Sequence, residues 1–347
     1  MPRRVKWGVI GSGGIARRRT IPEGLAMASN AELASVFDVD EAANQAVAAS
    51  FGARSCRSLA ELLESGVEAV YVASPAYAHH GQTLAALAAG KHVLCEKPLG
   101  LNVAEAEEMV SAADKAELLL GTAFMMRFQS QHEALRRMAE QGLLGNLAFG
   151  RAQLSCWYPP IPGAWRQDPA LGGGGALMDM GCHVIDLLES IFGRVRRLSC
   201  FTANSVHNYA VEDNAVVLLS FASGATGTVD TLYCVPDESS KNRLEVYGSL
   251  GSVLAEGTIG QGSQGRMRAF LRQSSGEYDA QQIGQMAQGV EVAPPAVNPY
   301  QAEVEDFSLA VLEGRPPRVD GRAGLWSQRL MAACYQSARS GAAVELP

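Results

Sequence analysis

The chain has 347 residues, 47% of them hydrophobic and 19% charged, with a formal net charge of -7. That length accommodates two domains of ordinary size, and the balance excludes a disordered chain. The acidic total argues against a nucleic-acid surface built on bulk positive charge, no apolar run is long enough to cross a membrane, and seven cysteines without CxxC spacing suggest neither zinc nor a disulfide framework.

The opening MPRRVKWGVIG moves straight into a strand-like run without a signal-peptide core, so a cytoplasmic location is expected. Val5 to Ile10 suits a buried parallel strand and ends in Gly11-Ser12-Gly13-Gly14-Ile15-Ala16, a GxGxxA turn. A helical segment follows, which Pro22 is expected to kink or end because it lacks a donor and clashes with the preceding turn. A second strand, Glu32 to Phe37, then leads to Asp38, 22 residues beyond Ala16. Strand, glycines, helix and acid in this register predict a dinucleotide site. Gly11 permits the tight turn, Gly13 lets the backbone approach a pyrophosphate, and Ala16 allows close packing of helix on strand, with the helix N-terminal amides facing the anion. Asp38 would accept hydrogen bonds from ribose hydroxyls, whereas a 2′-phosphate there would meet like charge, so NAD is expected and NADP is disfavoured.

Helical and strand-like segments alternate from there: helix Glu41 to Phe51, strand Val67 to Ser74, helix His79 to Ala89, strand Val93 to Glu96, helix Val103 to Lys115 and strand Leu118 to Ala123. This order predicts a doubly wound parallel sheet whose ligand lies beyond the carboxyl ends of the strands. Ser74-Pro75 opens a loop toward His79, and Glu96-Lys97-Pro98 closes the next strand, holding a lysine beside the crevice.

Arg127 to Gly142 reads as a linking helix, after which the pattern turns strand-like: Leu147 to Trp157, Val195 to Asn204, Asp213 to Phe221, Gly227 to Tyr233 and Arg243 to Tyr247. A mainly antiparallel sheet is the natural result. Trp157 to Ala170 is too irregular for a strand, and its Trp165-Arg166 suits either sugar stacking and hydrogen bonding or packing at a domain interface. Gly257 to Pro295 is expected to hold a strand near Arg266 to Arg272 within a loop or flap. Asn298-Pro299 starts a helix to about Leu312, and a last helix from Ala323 to Ser340 ends at Gly341.

Chemistry concentrates in Gly172 to Ile191, GGGGALMDMGCHVIDLLESI. After four glycines, Leu177, Met180, Val184, Leu187, Leu188 and Ile191 recur at helical spacing, with Asp179, His183 and Asp186 on another side. A surface helix with a solvated polar face fits this pattern. So does a site in which a carboxylate and an imidazole converge on one hydroxyl, the glycines admitting a backbone or ligand. Nothing like HExxH supports a metal held by Asp179, His183 and Asp186, and none is expected.

These motifs in order, GxGxxA, Pro75-x-x-x-His79, Glu96-Lys97-Pro98, Trp165-Arg166 and Gly-Gly-Ala-Leu-x-Asp-x-Gly-x-His-x-Ile-Asp from Gly174 to Asp186, resemble the Gfo/Idh/MocA oxidoreductases. That family includes inositol, glucose and other sugar dehydrogenases. The resemblance implies a Rossmann domain over about residues 1–125 and a second α/β domain over 126–347, with a large, mainly antiparallel open sheet for substrate binding and dimerisation. It implies catalysis by Lys97, Asp179 and His183: His183 as base, Asp179 orienting the hydroxyl or sugar, and Lys97 polarising it and touching the nicotinamide ribose. Cofactor contacts are then expected from Gly11, Gly13, Gly14, Ile15, Asp38, Ser74, Pro75, His79, Glu96 and Lys97, and a substrate contact from Arg166. Where many members carry Thr-Pro-Asn, this chain has Ser74-Pro75-Ala76.

The expected function is reversible oxidation of a secondary hydroxyl on a sugar or cyclic polyol, with hydride transfer to nicotinamide. A non-catalytic sugar sensor and an NAD-dependent glycosidase are the competing readings. An open sheet face would expose apolar surface unless paired, so a homodimer or homotetramer through the second sheet is expected.

Overall fold

The computed structural model describes residues 3–262, 264–272 and 288–347. In the first third of the chain, short apolar strands alternate with helices, which only a parallel sheet covered on both faces can bury. Strands β1 (Val5–Ile10), β2 (Ala31–Phe37), β3 (Arg54–Ser55), β4 (Ala69–Val72), β5 (His92–Glu96) and β6 (Leu120–Ala123) pair in the order β3-β2-β1-β4-β5-β6. Every pairing is parallel. Helices α1 (Glu41–Phe51), α2 (Leu59–Glu64), α3 (Ala76–Ala88) and α4 (Val103–Ala116) make the crossovers. The strand order reverses between β1 and β4, which is where such sheets open to a ligand.

Several local features depart from the sequence reading. The helix Ala16–Leu25 passes through Pro22 by winding as a π-helix, and the Ala26 amide donates to the Ile21 carbonyl five residues back. The wider turn relieves the clash between a proline ring and the carbonyl four residues before it. Strand β3 and helix α2 were also unexpected. A local signal for α2 was present, because Ser58 accepts from the Glu61 amide while Glu61 accepts from the Arg57 amide.

Among the described residues the second sheet has nine strands: β7 (Leu147–Ser155), β8 (Val195–Ala203), β9 (Asn214–Phe221), β10 (Thr226–Leu232), β11 (Arg243–Gly248), β12 (Gly251–Glu256), β13 (Arg266–Leu271), β14 (Val290–Glu291) and β15 (Val344–Glu345). Their order is β14-β13-β12-β11-β7-β10-β9-β8-β15, antiparallel except for β7 against β10. The segment expected as a loop or flap contributes β13 and β14, and its residues 263 and 273–287 lie outside the described residues.

Helices α5 (Ser130–Glu140), α6 (Pro169–Gly172), α7 (Cys182–Phe192), α8 (Pro299–Glu313) and α9 (Gly321–Ser340) complete the fold. Helix α7 lies against β7 and α9 against β8, while α8 returns to the first sheet. There the Phe307 ring packs 5.4 Å from that of Trp7, tilted by 55°, and the Trp7 indole donates to Ser308 at 3.0 Å. The core of the first layer therefore takes residues from both ends of the chain, through a helix that follows the second sheet and packs on the first. Alternation along the second sheet buries Val217, Leu219, Val229, Leu244 and Val246 but leaves Phe201, Val216, Leu218 and Tyr247 exposed on the opposite face. Among the described residues no helix is long and apolar enough to cross a membrane.

Candidate active site

The carboxyl end of the first sheet and the start of α7 enclose a cleft of about 760 Å³. Gly11, Gly13, Gly14, Ile15, Asp38, Ser74, Pro75, His79, Glu96, Lys97, Arg166, Asp179 and His183 all line it. The sequence-predicted residues are thus brought together in one place. Asp186 is not among them. Both its oxygens take the Arg127 guanidinium, at 2.7 and 2.5 Å, so the helical spacing that groups it with Asp179 and His183 does not survive in space.

One end of the cleft is a turn that side chains would fill. Gly11 has φ of +81° and lies so close to the next strand that a Cβ there would come within 2.5 Å of the Ser74 amide nitrogen. A Cβ on Gly14 would meet nothing within 4 Å, which leaves room beside the helix start. Asp38 Oδ2 accepts from the Gly13 amide at 2.8 Å, so the acid is already fixed at the rim of this turn. The arrangement fits a dinucleotide: an open glycine turn, free helix-terminal amides and a carboxylate where a ribose would lie.

His79 organises the floor. Its ring lies between the Ser74 and Pro98 carbonyls, 2.8 Å from each, and when neutral donates its single N–H to one of them, at the junction of the loop after β4 with the turn that carries Lys97. The ring is buried and its pKa is pushed down by that burial. Glu96 receives the Tyr71 hydroxyl, and burial holds its carboxyl above the ordinary range.

The other end is supplied by α7 and the turn before it. Leu177–Gly181 is wound as a π segment that runs directly into α7, and Asp179 and His183 straddle the junction. Such insertions alter the angle between side chains four residues apart and are frequent at functional sites. Lys97 Nζ reaches across from the first sheet to Asp179, 2.5 Å from Oδ1 and 2.8 Å from its carbonyl oxygen. Arg166 Nε donates to the same Oδ1 at 3.2 Å, and the Tyr233 hydroxyl donates to Oδ2 at 2.7 Å. Burial alone would raise the Asp179 pKa, but Lys97, Arg166 and Tyr233 together hold it well below the usual carboxylate range. Burial is the largest influence on Lys97 and opposes its charge, but Asp179 together with the acidic groups around it outweighs that burial and raises the ammonium pKa.

His183 has a different environment. Among the described residues nothing hydrogen-bonds its ring, the Nδ1 atom is buried, and Phe124 stands edge-on at 5.8 Å. Burial, then the Lys97 charge, push its pKa down to about 3. The site therefore presents one anion clamped by two cations and, beside it, a neutral imidazole with its bonding capacity free. Leu154, Cys156, Tyr158, Trp165 and Met180 supply a largely apolar wall. Tyr233 and Tyr158 were missed in the sequence. Tyr233 follows the end of β10, 54 residues beyond Asp179, and no local pattern links the two.

Two family models match the chain: an oxidoreductase family with an NAD-binding Rossmann fold over residues 5–124, and a GFO/IDH/MocA C-terminal domain over residues 132–254. A D-xylose 1-dehydrogenase (NADP(+)) from Haloferax volcanii is 30% identical, with 98% of this chain and 99% of that one covered. The chain belongs to the Gfo/Idh/MocA oxidoreductase family. This oxidoreductase is also 29% identical to a 1,5-anhydro-D-fructose reductase from Ensifer adhaerens, over 98% of both chains. The crystal structure of an aldose-aldose oxidoreductase from Caulobacter crescentus, complexed with glycerol, superposes on it with a TM-score of 0.88 at 28% identity, covering 99% of this chain and 100% of that one.

The environment of His183 has a measurable consequence. Because its pKa is lowered, the imidazole of this Gfo/Idh/MocA protein should stay neutral through the range where an ordinary histidine, near 6.5, gains its proton. In histidine ring NMR spectra recorded between about pH 8 and pH 5, the His183 signals should not shift. Lys97→Met should move its titration upward, though not fully, since burial is the larger cause. A midpoint near the ordinary value in the wild type would contradict the geometry.

Proposed function

We propose that the protein interconverts a secondary hydroxyl and the corresponding carbonyl on a sugar or cyclic polyol bound between the two sheets. The observation that carries this reading is the Lys97–Asp179 contact, 2.5 Å across the cleft, with the unpartnered imidazole of His183 beside it. The relatives' names, a sugar dehydrogenase and an anhydro-sugar reductase, point to the same class of substrate. When bound, the nicotinamide supplies the hydride acceptor in one direction and the hydride donor in the other.

The chain's own residues do the rest. The turn of Gly11, Gly13, Gly14 and Ile15 holds the pyrophosphate, Asp38 the adenosine ribose, and Ser74, Pro75, His79 and Glu96 the wall along which the dinucleotide extends. Lys97 lies within reach of the reacting oxygen and stabilises negative charge developing there. Asp179 and Arg166 fix neighbouring hydroxyls, and the clamp on Asp179 keeps it an acceptor at every working pH. His183, neutral and unpaired, takes the hydroxyl proton in oxidation and returns it in reduction. Contributing these groups from two different sheets means the substrate is oriented by both at once.

His183→Ala should reduce kcat by about 10²- to 10⁴-fold while the dissociation constant for the dinucleotide stays within error. A panel of sugars and polyols, each tried with both oxidised cofactors and followed by reduced-cofactor absorbance, reads this directly. Wild-type turnover by the variant would refute the base assignment. Cleavage of an aryl glycoside without net cofactor reduction would replace the dehydrogenase reading by a glycosidase.

The carboxylate at Asp38 should favour NAD over NADP through like-charge repulsion of a 2′-phosphate, and Asp38→Ala should narrow the preference by about tenfold or more. Tighter binding of NADP than NAD by the wild type would contradict this role.

We also infer that a second copy of the chain covers the outer face of the nine-stranded sheet. Phe201, Val216, Leu218 and Tyr247 are exposed there, and Arg151 pairs with Asp230 among them, so the face carries both charges and can match itself about a two-fold axis. Light scattering should find a dimer or tetramer, and Leu218→Arg should shift it toward smaller species. A monomeric wild type at micromolar concentration would end this inference.

A further inference from the structure

Asp179 follows a run of glycines, and the positions of two of them show what the run admits. A Cβ on Gly174 would lie 1.9 Å from the Tyr335 hydroxyl oxygen, and one on Gly175 would lie 2.1 Å from the Glu212 carbonyl oxygen. Neither group can retreat cheaply, because both are engaged. Glu212 Oε1 accepts from the Gly175 amide at 3.0 Å, from the Leu177 amide at 3.0 Å and from the Tyr335 hydroxyl at 2.9 Å. The Glu212 carbonyl accepts from the intervening Ala176 amide at 3.1 Å. Three consecutive amides at the start of the turn that carries Asp179 thus end on a single residue, and the Asp179 amide closes back onto the Gly175 carbonyl at 2.9 Å. These are donors that a helix start leaves unpaired unless something outside it accepts them.

The next residue reaches the same carboxylate by another route. The Asp213 carbonyl accepts from the Tyr233 amide at 2.7 Å, and the Tyr233 hydroxyl in turn holds Asp179 Oδ2. Glu212 therefore fixes the backbone beneath Asp179, while Asp213 fixes the tyrosine that grips its side chain. Neither Glu212 nor Tyr335 lines the cleft.

We propose that Glu212 and Tyr335 are positioning residues: they lock the glycine turn so that Asp179 and His183 are presented to Lys97 at a fixed depth. The catalytic consequence rests on the reading of Asp179 and His183 given above, whereas the lock itself does not. A displacement of about 1 Å at such a turn is enough to lower turnover by about a hundredfold.

Hydrogen exchange followed on peptides spanning 172–181 tests the lock, and steady-state kinetics test its consequence. Tyr335→Phe, which keeps the ring and removes only the hydroxyl, should speed exchange in this segment and lower kcat by about tenfold, with the dinucleotide dissociation constant unchanged. Glu212→Ala should do the same more strongly, by about a hundredfold in kcat, and Glu212→Gln, which keeps an acceptor oxygen, should recover most of the loss. Unchanged exchange in Tyr335→Phe and Glu212→Ala overturns the proposal, as does faster exchange with kcat intact. Equal losses of kcat and dinucleotide affinity also overturn it, since they would report general unfolding. Should the wild type oxidise no sugar or polyol in the panel, the dehydrogenase reading fails, and the exchange comparison still decides whether the lock exists.

Discussion

The site depends on one ion pair formed between two sheets. Lys97 leaves the end of β5 and Asp179 lies in the turn before α7, and each is recessed from solvent, with side-chain exposures of 10% and 23%. Two charges taken out of water in this way are costly separately, and removing one strands the other. The pair is tolerable because the carboxylate is over-supplied: Lys97, Arg166 and Tyr233 all donate to it. Neither sheet holds a complete site, so docking of the two layers and assembly of the chemistry are the same event. The return of α8 to the first sheet, with Phe307 and Ser308 against Trp7, ties the chain beyond the second sheet back to the first.

The same clamp sets the state of the neighbouring imidazole. A histidine placed beside a free carboxylate would be pulled toward its charged form, and a charged imidazole cannot accept a proton. Here the carboxylate is occupied by two cations, and burial followed by repulsion from Lys97 outweighs the pull of Asp179 on His183. A charged carboxylate and a neutral imidazole, both deprotonated, are thus kept within about one turn of chain. Environment does this rather than residue type, since Asp186, further along α7, is absorbed into a structural pair with Arg127.

Local order was what the sequence could show. The parallel sheet, the glycine turn and Asp38 fall within one stretch of chain and follow from periodicity and spacing, because a βαβ unit encodes its own geometry. The ends of α8 and α9 were legible for the same reason: Asn298 and Gly341 cap them as their residue types require. Strand β12 was overlooked because Gly248 to Gly251 joins it to β11 through Ser249-Leu250, which carries no recognised turn pair. In the site, Lys97, Asp179 and His183 could be singled out from their motifs, but the groups that fix them could not. Tyr233 and Glu212 reach the turn across 54 and 35 residues and Tyr335 reaches Glu212 across 123, and sequence separation of that order leaves no periodic trace.

The two glycine-rich turns show why composition alone cannot assign a role. At Gly11 the missing side chain lets the turn press against Ser74, while at Gly14 it leaves space beside the cleft, and that open neighbourhood is what an incoming anion requires. At Gly174 and Gly175 the space is already taken by Tyr335 and Glu212. The sequence reading allowed either a ligand or another backbone to approach this second run, and it is protein that approaches. One turn is empty so that it can bind, and the other is filled so that it cannot move. The rigid turn presents Asp179 and His183 to whatever the open turn has delivered, which places the adaptable part of the site at the rim and its fixed part beneath the reacting atoms.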